Sequence, residues 1–164
     1  MPHGVLFRGG AEGKIREGLL KEDLVEAIIG VPANLFYGTG IPASILVLNR
    51  NKEADKKDKV FFLDGSKDFQ EGKNQNVLRD EDIEKIVAGY DAWEEQEKYC
   101  RVVALEEIAK NDYNLNIARY IDTTEEEEQI DVADALAELR KLEKERDEIE
   151  DKMYGYLKEL GYGE

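Results

Sequence analysis

The sequence predicts an α/β protein followed by a helical extension that ends in a long coiled-coil-like helix. Three observations lead to this fold class. Helical and strand-like patterns alternate over the first 65 residues, the strand-like runs there are nearly continuously apolar, and residues 131–160 repeat apolar side chains every three or four positions. Continuously apolar strands are typical of a sheet covered by helices on both faces. A chain of 164 residues can bury one such core of modest size.

The predicted sheet lies in the first 65 residues, which we assign to one α/β domain. The segment AEGKIREGLLKEDL has leucine and isoleucine at helical spacing, and the β-branched run VEAIIGV follows it. Two further apolar runs, PASILVLNR and VFFLDG, are separated by a short lysine- and aspartate-rich segment. A short polar loop between two apolar runs favours a hairpin, so we predict that these two strands pair antiparallel.

Residues 66–124 are predicted to form a linker, a helix and a strap. The linker is the polar, glycine-bearing stretch GSKDFQEGKNQN. The helix is RDEDIEKIVAGYDAWEE, because acidic residues open it and apolar residues form one stripe. That stripe comprises Ile83, Ile86, Val87, Tyr90 and Trp93. The segment CRVVAL is either a short strand or an extended strap, and the asparagines after it favour turns.

Residues 125–164 are predicted to form a helix that needs a partner. After the acidic run 125–128, the apolar positions from residue 135 onward are spaced alternately by four and three, which is a heptad seam. The seam consists of Ala135, Leu139, Leu142, Arg146, Ile149, Met153, Tyr156 and Leu160. Because the other faces are highly charged, the helix cannot bury this seam alone. Arg146 either fixes the register of a pairing or lays its aliphatic stem along apolar surface.

The distribution of charge argues against unaided binding to nucleic acid. The first 65 residues are neutral, with nine basic and nine acidic side chains, so the rest of the chain carries the whole net charge of −15. A strongly acidic surface repels phosphate. We therefore expect contact with DNA only through the neutral N-terminal part or through a partner.

The residue inventory excludes several classes of site. Cys100 is the single cysteine and His3 the single histidine, so neither a disulfide within the chain nor a Cys- or His-based metal site is expected. No phosphate-binding loop or serine nucleophile motif occurs, which disfavours an autonomous enzyme. There is no apolar run of the roughly 20 residues that a membrane helix needs, and no signal-peptide pattern. We expect a soluble, cytoplasmic protein.

Two adjacent aromatic residues, Phe36 and Tyr37, stand before the glycine-containing turn 38–40. One interpretation is structural, with one ring in the core and the other on the surface. The other interpretation is a stacking platform for a planar ligand such as a nucleobase. Glycines would let the backbone approach that ligand closely.

Four blocks in order resemble the C-terminal half of the modification (M) subunit of type I restriction-modification systems. They are PHGVLFRGGAEGKIREGLL, IIGVPANLFYGTGIPASILVLNR, GKNQNVLRDEDIEKIV and NDYNLNIARYID. The resemblance implies a DNA adenine-N6 methyltransferase that uses S-adenosylmethionine. It also implies a Rossmann-like sheet whose last strands form a hairpin, of which residues 1–65 would be the C-terminal part. In related enzymes an aromatic residue before the penultimate strand faces the extruded adenine; Phe36 matches that position, with Tyr37 as the adjacent option.

The resemblance also implies what this chain lacks. The family's glycine-rich cofactor loop and its N-P-P-[F/Y] motif lie upstream of the matching region, and the three prolines, Pro2, Pro32 and Pro42, are not adjacent. We therefore expect an excised or truncated fragment without catalytic or cofactor-binding residues of its own, which neither methylates DNA nor binds S-adenosylmethionine.

The family's partners give the C-terminal helix an expected role. M subunits assemble with a specificity (S) subunit and, through it, with a restriction subunit. The resemblance thus implies that the seam residues Leu139, Leu142, Arg146, Ile149, Met153 and Tyr156 dock on the S subunit, and self-association through the same helix is a further expectation. The alternative from a different class is a self-standing α/β interaction protein with an acidic coiled-coil arm.

Overall fold

The computed structural model describes residues 1–122 and 132–162, with the side chains of the second range described from residue 136 onward. The chain divides into two compact units, Met1–Thr124 and Glu125–Glu164. The first unit contains a mixed four-strand sheet with helices on both faces, and the second contains one long helix. This agrees with the predicted α/β class. Residues 66–124 contribute a strand and two helices to the first unit.

The bounds of the elements follow the sequence patterns closely. The helices are α1 (Gly10–Lys21), α2 (Asp80–Ala92), α3 (Leu105–Lys110) and α4 (Val132–Glu159), with short 3-10 helices at His3–Leu6 and Ile117–Arg119. The strands are β1 (Val25–Val31), β2 (Ala43–Leu48), β3 (Lys59–Asp64) and β4 (Cys100–Ala104). The CRVVAL segment is therefore a strand rather than a strap.

The order of the strands in the sheet is β2-β1-β3-β4. β1 pairs antiparallel with β2 and parallel with β3, and β3 pairs antiparallel with β4. The predicted hairpin between β2 and β3 is therefore wrong, because β1 lies between them and β2 pairs with β1 instead. Burial agrees with this order, because every residue of β1 is buried, as a central strand requires, whereas β2 keeps exposed residues.

The connection from β2 to β3 can cross the end of β1 because a buried lysine holds it there. The Nζ of Lys52 lies 2.5 Å from Asp23 Oδ1 and donates to the carbonyl of Lys59 at 2.8 Å. A short charged segment between two strands thus spans a neighbouring strand instead of making a tight turn.

The apolar sequence of β2 predicts that both of its faces are covered, but two of its residues are exposed. β2 is an edge strand of the described sheet, and both Ile45 and Leu48 are exposed. Among the described residues, its outer edge is paired at its start, where the backbone of Met1 exchanges two hydrogen bonds of 2.8 Å with Ser44. The N-terminal residues therefore lie beside the first residues of β2.

Alternate residues of the central strands pack on opposite faces of the sheet. Ile28 and Phe62 face a core that α1, α3 and the 3-10 helices cover, whereas Ile29 and Phe61 face a core that α2 covers. Burying these side chains is the main stabilisation of the first unit, at about 1.5–3 kcal/mol for each large apolar residue.

The predicted stripe of α2 is only partly its buried face. Ile86 is buried in the core, and the Trp93 ring stacks on Phe61 with centroids 4.8 Å apart. Ile83 and Val87 are exposed. Helical periodicity predicted the helix. It did not show which residues of the apolar stripe face the core and which face solvent.

His3 makes the stability of the first unit depend on pH. Burial lowers the pKa of its imidazole, and the charge of Asp64 offsets part of this effect. A lowered pKa means that the folded state binds the proton less well than the unfolded state, whose pKa is 6.5. The corresponding stability is present above pH 6.5 and is lost as the pH falls through the lower folded-state value.

We therefore expect the urea midpoint to fall on acidification from neutral pH, and His3→Gln to make that fall shallower. Because His3 is the only histidine, its NMR titration measures the folded-state pKa directly. A titration midpoint at or above 6.5 would contradict the prediction.

Candidate functional site

The aromatic loop, residues 33–40, lies in the connection between β1 and β2. Phe36 and Thr39 form an isolated bridge in which the Thr39 N–H donates to the Phe36 carbonyl at 3.4 Å. Tyr37 and Gly38 occupy the two central positions of this turn, and Gly38 has φ +77°, a conformation that favours glycine. The chain therefore makes a tight turn between β1 and β2, and both rings lie on this turn.

The structure separates the two rings, although both are accessible. Phe36 is 55% exposed and lines an open cleft of about 310 Å³ together with Met1, Pro2, Thr39, Ile41 and Ala43. Tyr37 is 91% exposed and does not line that cleft. The structural interpretation, with one ring in the core, therefore does not hold. Phe36 is the ring that borders the cleft.

The cleft lies beside the start of the edge strand β2, because Ala43 lines it together with Pro2, which is bridged to Ala43. Ala43 pairs with Val31 at the carboxyl end of β1, and β1 is parallel to β3. Gly30 of β1 is paired with Asp64 of β3, and the N–H of Gly65 donates to the Gly30 carbonyl at 3.0 Å. In α/β proteins, ligands bind outside the carboxyl ends of parallel strands. The aromatic loop follows directly from the carboxyl end of β1, so its position is typical of a ligand-binding loop.

The heptad residues lie on an exposed face of α4. Leu139, Leu142, Ile149, Met153 and Tyr156 are all exposed, and the guanidinium of Arg146 bonds the neighbouring Asp147 carboxylate at 2.6 Å. The helix has 28 residues and is about 42 Å long at about 1.5 Å per residue. The acidic run 125–128 and the side chain of Ala135 lie outside the described residues.

Other buried polar groups of the first unit serve its packing. The Glu26 carboxylate accepts hydrogen bonds from Tyr90 and from Asn49, at the end of β1 remote from the aromatic loop. Burial and this carboxylate raise the pKa of Tyr90 to about 12. Burial likewise raises the pKa of the Cys100 thiol to about 11, which makes it an unreactive core residue.

Two negative findings apply to the described part of the chain alone. No group of three histidine, cysteine or carboxylate side chains is placed there to hold a metal ion. Among the described helices, none combines the length and the apolar character of a membrane-spanning segment.

Sequence reasoning missed Gln75 and Asn76, whose amides contact the aromatic loop. Both lie in the stretch interpreted as a linker, because polar residues near glycine usually indicate a solvated loop. Their distance of about 40 positions from the aromatic loop leaves no periodic signal that could have linked the two segments.

Comparison with known proteins identifies relatives over most of the chain. A family model described as N-6 DNA Methylase matches residues 1–129. The methylase subunit of the type I restriction enzyme MjaVII from Methanocaldococcus jannaschii is 45% identical over 157 residues, 94% of this chain and 27% of the relative. The methylase subunit of the type I enzyme MpnII from Mycoplasma pneumoniae is 39% identical over 129 residues, 79% of this chain and 23% of the relative.

A solved structure supports the same relationship. The type I restriction-modification methyltransferase subunit from Streptococcus thermophilus is 49% identical and matches with a TM-score of 0.69, over 74% of this chain and 25% of that chain. Our chain therefore spans about a quarter of the length of the relatives it matches. The resemblance to type I modification subunits is confirmed, and the chain belongs to the N-6 DNA methylase family.

Proposed function

We propose that this chain is part of the modification subunit of a type I restriction-modification system, an adenine-N6 DNA methyltransferase. In this proposal its sheet is the C-terminal part of a Rossmann-like methyltransferase sheet. The observation that carries the proposal is the aromatic loop: Phe36 is half exposed beside a cleft, on the loop that follows the carboxyl end of β1. The family membership supports it.

Phe36 would form one wall of the pocket for the target adenine. An enzyme that modifies a base must extrude it from the duplex and hold it, commonly by stacking on aromatic side chains. A phenylalanine ring at the border of an apolar cleft offers one face for such stacking. Tyr37 extends into solvent beyond that cleft and is the weaker candidate.

The methyl donor of this enzyme class is S-adenosylmethionine, and the residues beside Phe36 do not fit it. Apart from Thr39, the side chains that line the cleft are apolar, and no carboxylate among them would bind the hydroxyl groups of a ribose. We therefore place neither the cofactor nor catalytic residues in this cleft, whose proposed contribution is a base-binding wall.

The exposed seam of α4 would dock on the helices of a specificity subunit, which in turn recruits the restriction subunit. Five apolar side chains on one face of an otherwise charged helix favour burial against another helix. The net charge of −15 supports a role in which DNA is contacted only within the full assembly.

A chimera tests the proposal as a whole. The matching segment of the MjaVII relative is replaced by residues 1–164, and methyl transfer to duplex DNA is measured in the presence of the cognate specificity subunit. We expect site-specific adenine-N6 methylation by the chimera. A chimera that folds and assembles but does not methylate would contradict the proposed function.

The exposed seam also favours a second candidate, a self-standing protein that binds a helical partner or a second copy through α4. This candidate assigns no role to the cleft beside Phe36. The same chimera separates the two, because the second candidate predicts helix-mediated binding by the isolated chain and no methylation by the chimera.

A further inference from the structure

A second loop, residues 70–77, is closed on itself beside the aromatic loop; we name it the clamp loop. Gln70 and Val77 exchange two backbone hydrogen bonds of 2.9 and 3.0 Å at its base. A Cβ at Gly72 would lie 2.2 Å from the Gln75 carbonyl oxygen, so no larger residue fits the turn. The clamp loop therefore has a constrained shape, with Gln75 and Asn76 on its returning side.

The clamp loop donates one hydrogen bond to each of three consecutive carbonyls of the aromatic loop. Asn76 Nδ2 donates to Ala33 O at 2.9 Å, Asn76 N donates to Asn34 O at 2.8 Å, and Gln75 Nε2 donates to Leu35 O at 2.7 Å. A longer contact of 3.5 Å runs back from Asn34 Nδ2 to the carbonyl of Asn74. The contacts join segments about 40 residues apart in sequence.

Three fixed carbonyls determine the direction of the chain that follows them. Each peptide unit is planar, so fixing its carbonyl also fixes the plane through the next Cα atom, and the third of these planes ends at Phe36. On the other side of Phe36, its carbonyl accepts one hydrogen bond of 3.4 Å from Thr39, and the chain passes through Gly38 and Gly40. The clamp loop therefore holds the backbone from which the Phe36 ring extends.

We propose that Gln75 and Asn76 are positioning residues that hold the Phe36 ring at the border of its cleft. This inference rests on the proposed function, in which that ring stacks on the target adenine. The two amides act through the backbone of residues 33–35, and neither residue lines the cleft. They restrict the conformations of the free loop, so the loop loses less conformational entropy when the base binds.

Hydrogen–deuterium exchange on the 164-residue chain tests the clamp itself. The double variant Gln75→Glu, Asn76→Asp keeps the shape of both side chains and replaces each donating amide by a carboxylate. We expect the hydrogen-bonded amides of Thr39, Ile41 and Asn76 to exchange about tenfold faster or more, because the loss of two hydrogen bonds loosens the loop that carries their acceptors.

Asn74→Asp is the matched control, since it makes the same chemical change in an exposed side chain of the same loop. Exchange in β3 reports on the global fold and should stay unchanged in both variants. Unchanged exchange in the aromatic loop of the double variant would overturn the inference, whatever the function of Phe36.

A double-mutant cycle in the methylating chimera tests the consequence. We expect the clamp variant to lower kcat/KM for methyl transfer about tenfold while the affinity for S-adenosylmethionine is unchanged. Added to Phe36→Ala, the clamp variant should cause no further loss, because it acts through that ring. Full additivity of the two changes would overturn the positioning role. If Phe36→Ala alone had no effect, the assigned function of the ring would fail instead, and the exchange data would show whether the clamp still exists.

Discussion

The double substitution Leu139→Lys, Ile149→Lys is expected to abolish binding of this chain to a type I specificity subunit. Both side chains are exposed on the seam of α4 and would be buried in the proposed interface. Each change removes about 1.5–3 kcal/mol of apolar burial and places a charge in a desolvated contact. Together they should raise the dissociation constant by more than about a hundredfold. Binding of purified subunits by calorimetry, or their co-elution, measures this effect.

A charge change on another face of α4 provides the control. Asp151→Lys raises the net charge by the same amount as the double substitution, but residue 151 lies outside the heptad positions. It should leave binding nearly unchanged, because exposed charges away from a contact contribute little. Equal losses in both variants would indicate a long-range electrostatic effect and would contradict docking through the seam. An intact assembly with lysine at both seam positions would also contradict it.

Patterns within the sequence predicted the elements of this fold better than their arrangement. The strands β1, β2 and β3 follow from short apolar runs and the helices α1, α2 and α4 from helical periodicity, and both are local properties. The pairing of β2 with β1 does not, because two apolar runs joined by a polar loop can be adjacent or can flank a third strand. The buried contacts of Lys52 that favour the second arrangement exist only in the folded chain.

The candidate site shows the same division between local and distant information. An aromatic pair before a glycine turn indicated a loop with a function, and family resemblance pointed to Phe36. The sequence did not distinguish Phe36 from Tyr37, because their difference is one of direction: one ring borders the cleft and the other points into solvent. Nor did it reveal that Gln75 and Asn76 hold that loop, because those contacts depend on tertiary structure.

Phe36→Ala in the methylating chimera is expected to lower kcat/KM for methyl transfer about fivefold to a hundredfold. Stacking of a base on an aromatic side chain contributes about 1–3 kcal/mol, and alanine removes it without changing the backbone of the loop. The ring is half exposed and makes no large contribution to the core, so the thermal stability of the protein should change little. Steady-state methylation of a duplex with one target site measures the effect.

The adjacent ring is the natural control for this experiment. Tyr37→Ala removes a larger and more exposed side chain from the same turn, yet it should change kcat/KM by no more than about twofold because Tyr37 does not line the cleft. Phe36→Trp should retain most of the activity, since it keeps an aromatic face, whereas Phe36→Leu should resemble alanine although it keeps apolar bulk. Retention of activity in Phe36→Leu would show that the residue only fills space. A large loss in Tyr37→Ala would indicate that Tyr37, at the tip of the loop, forms the base-binding wall.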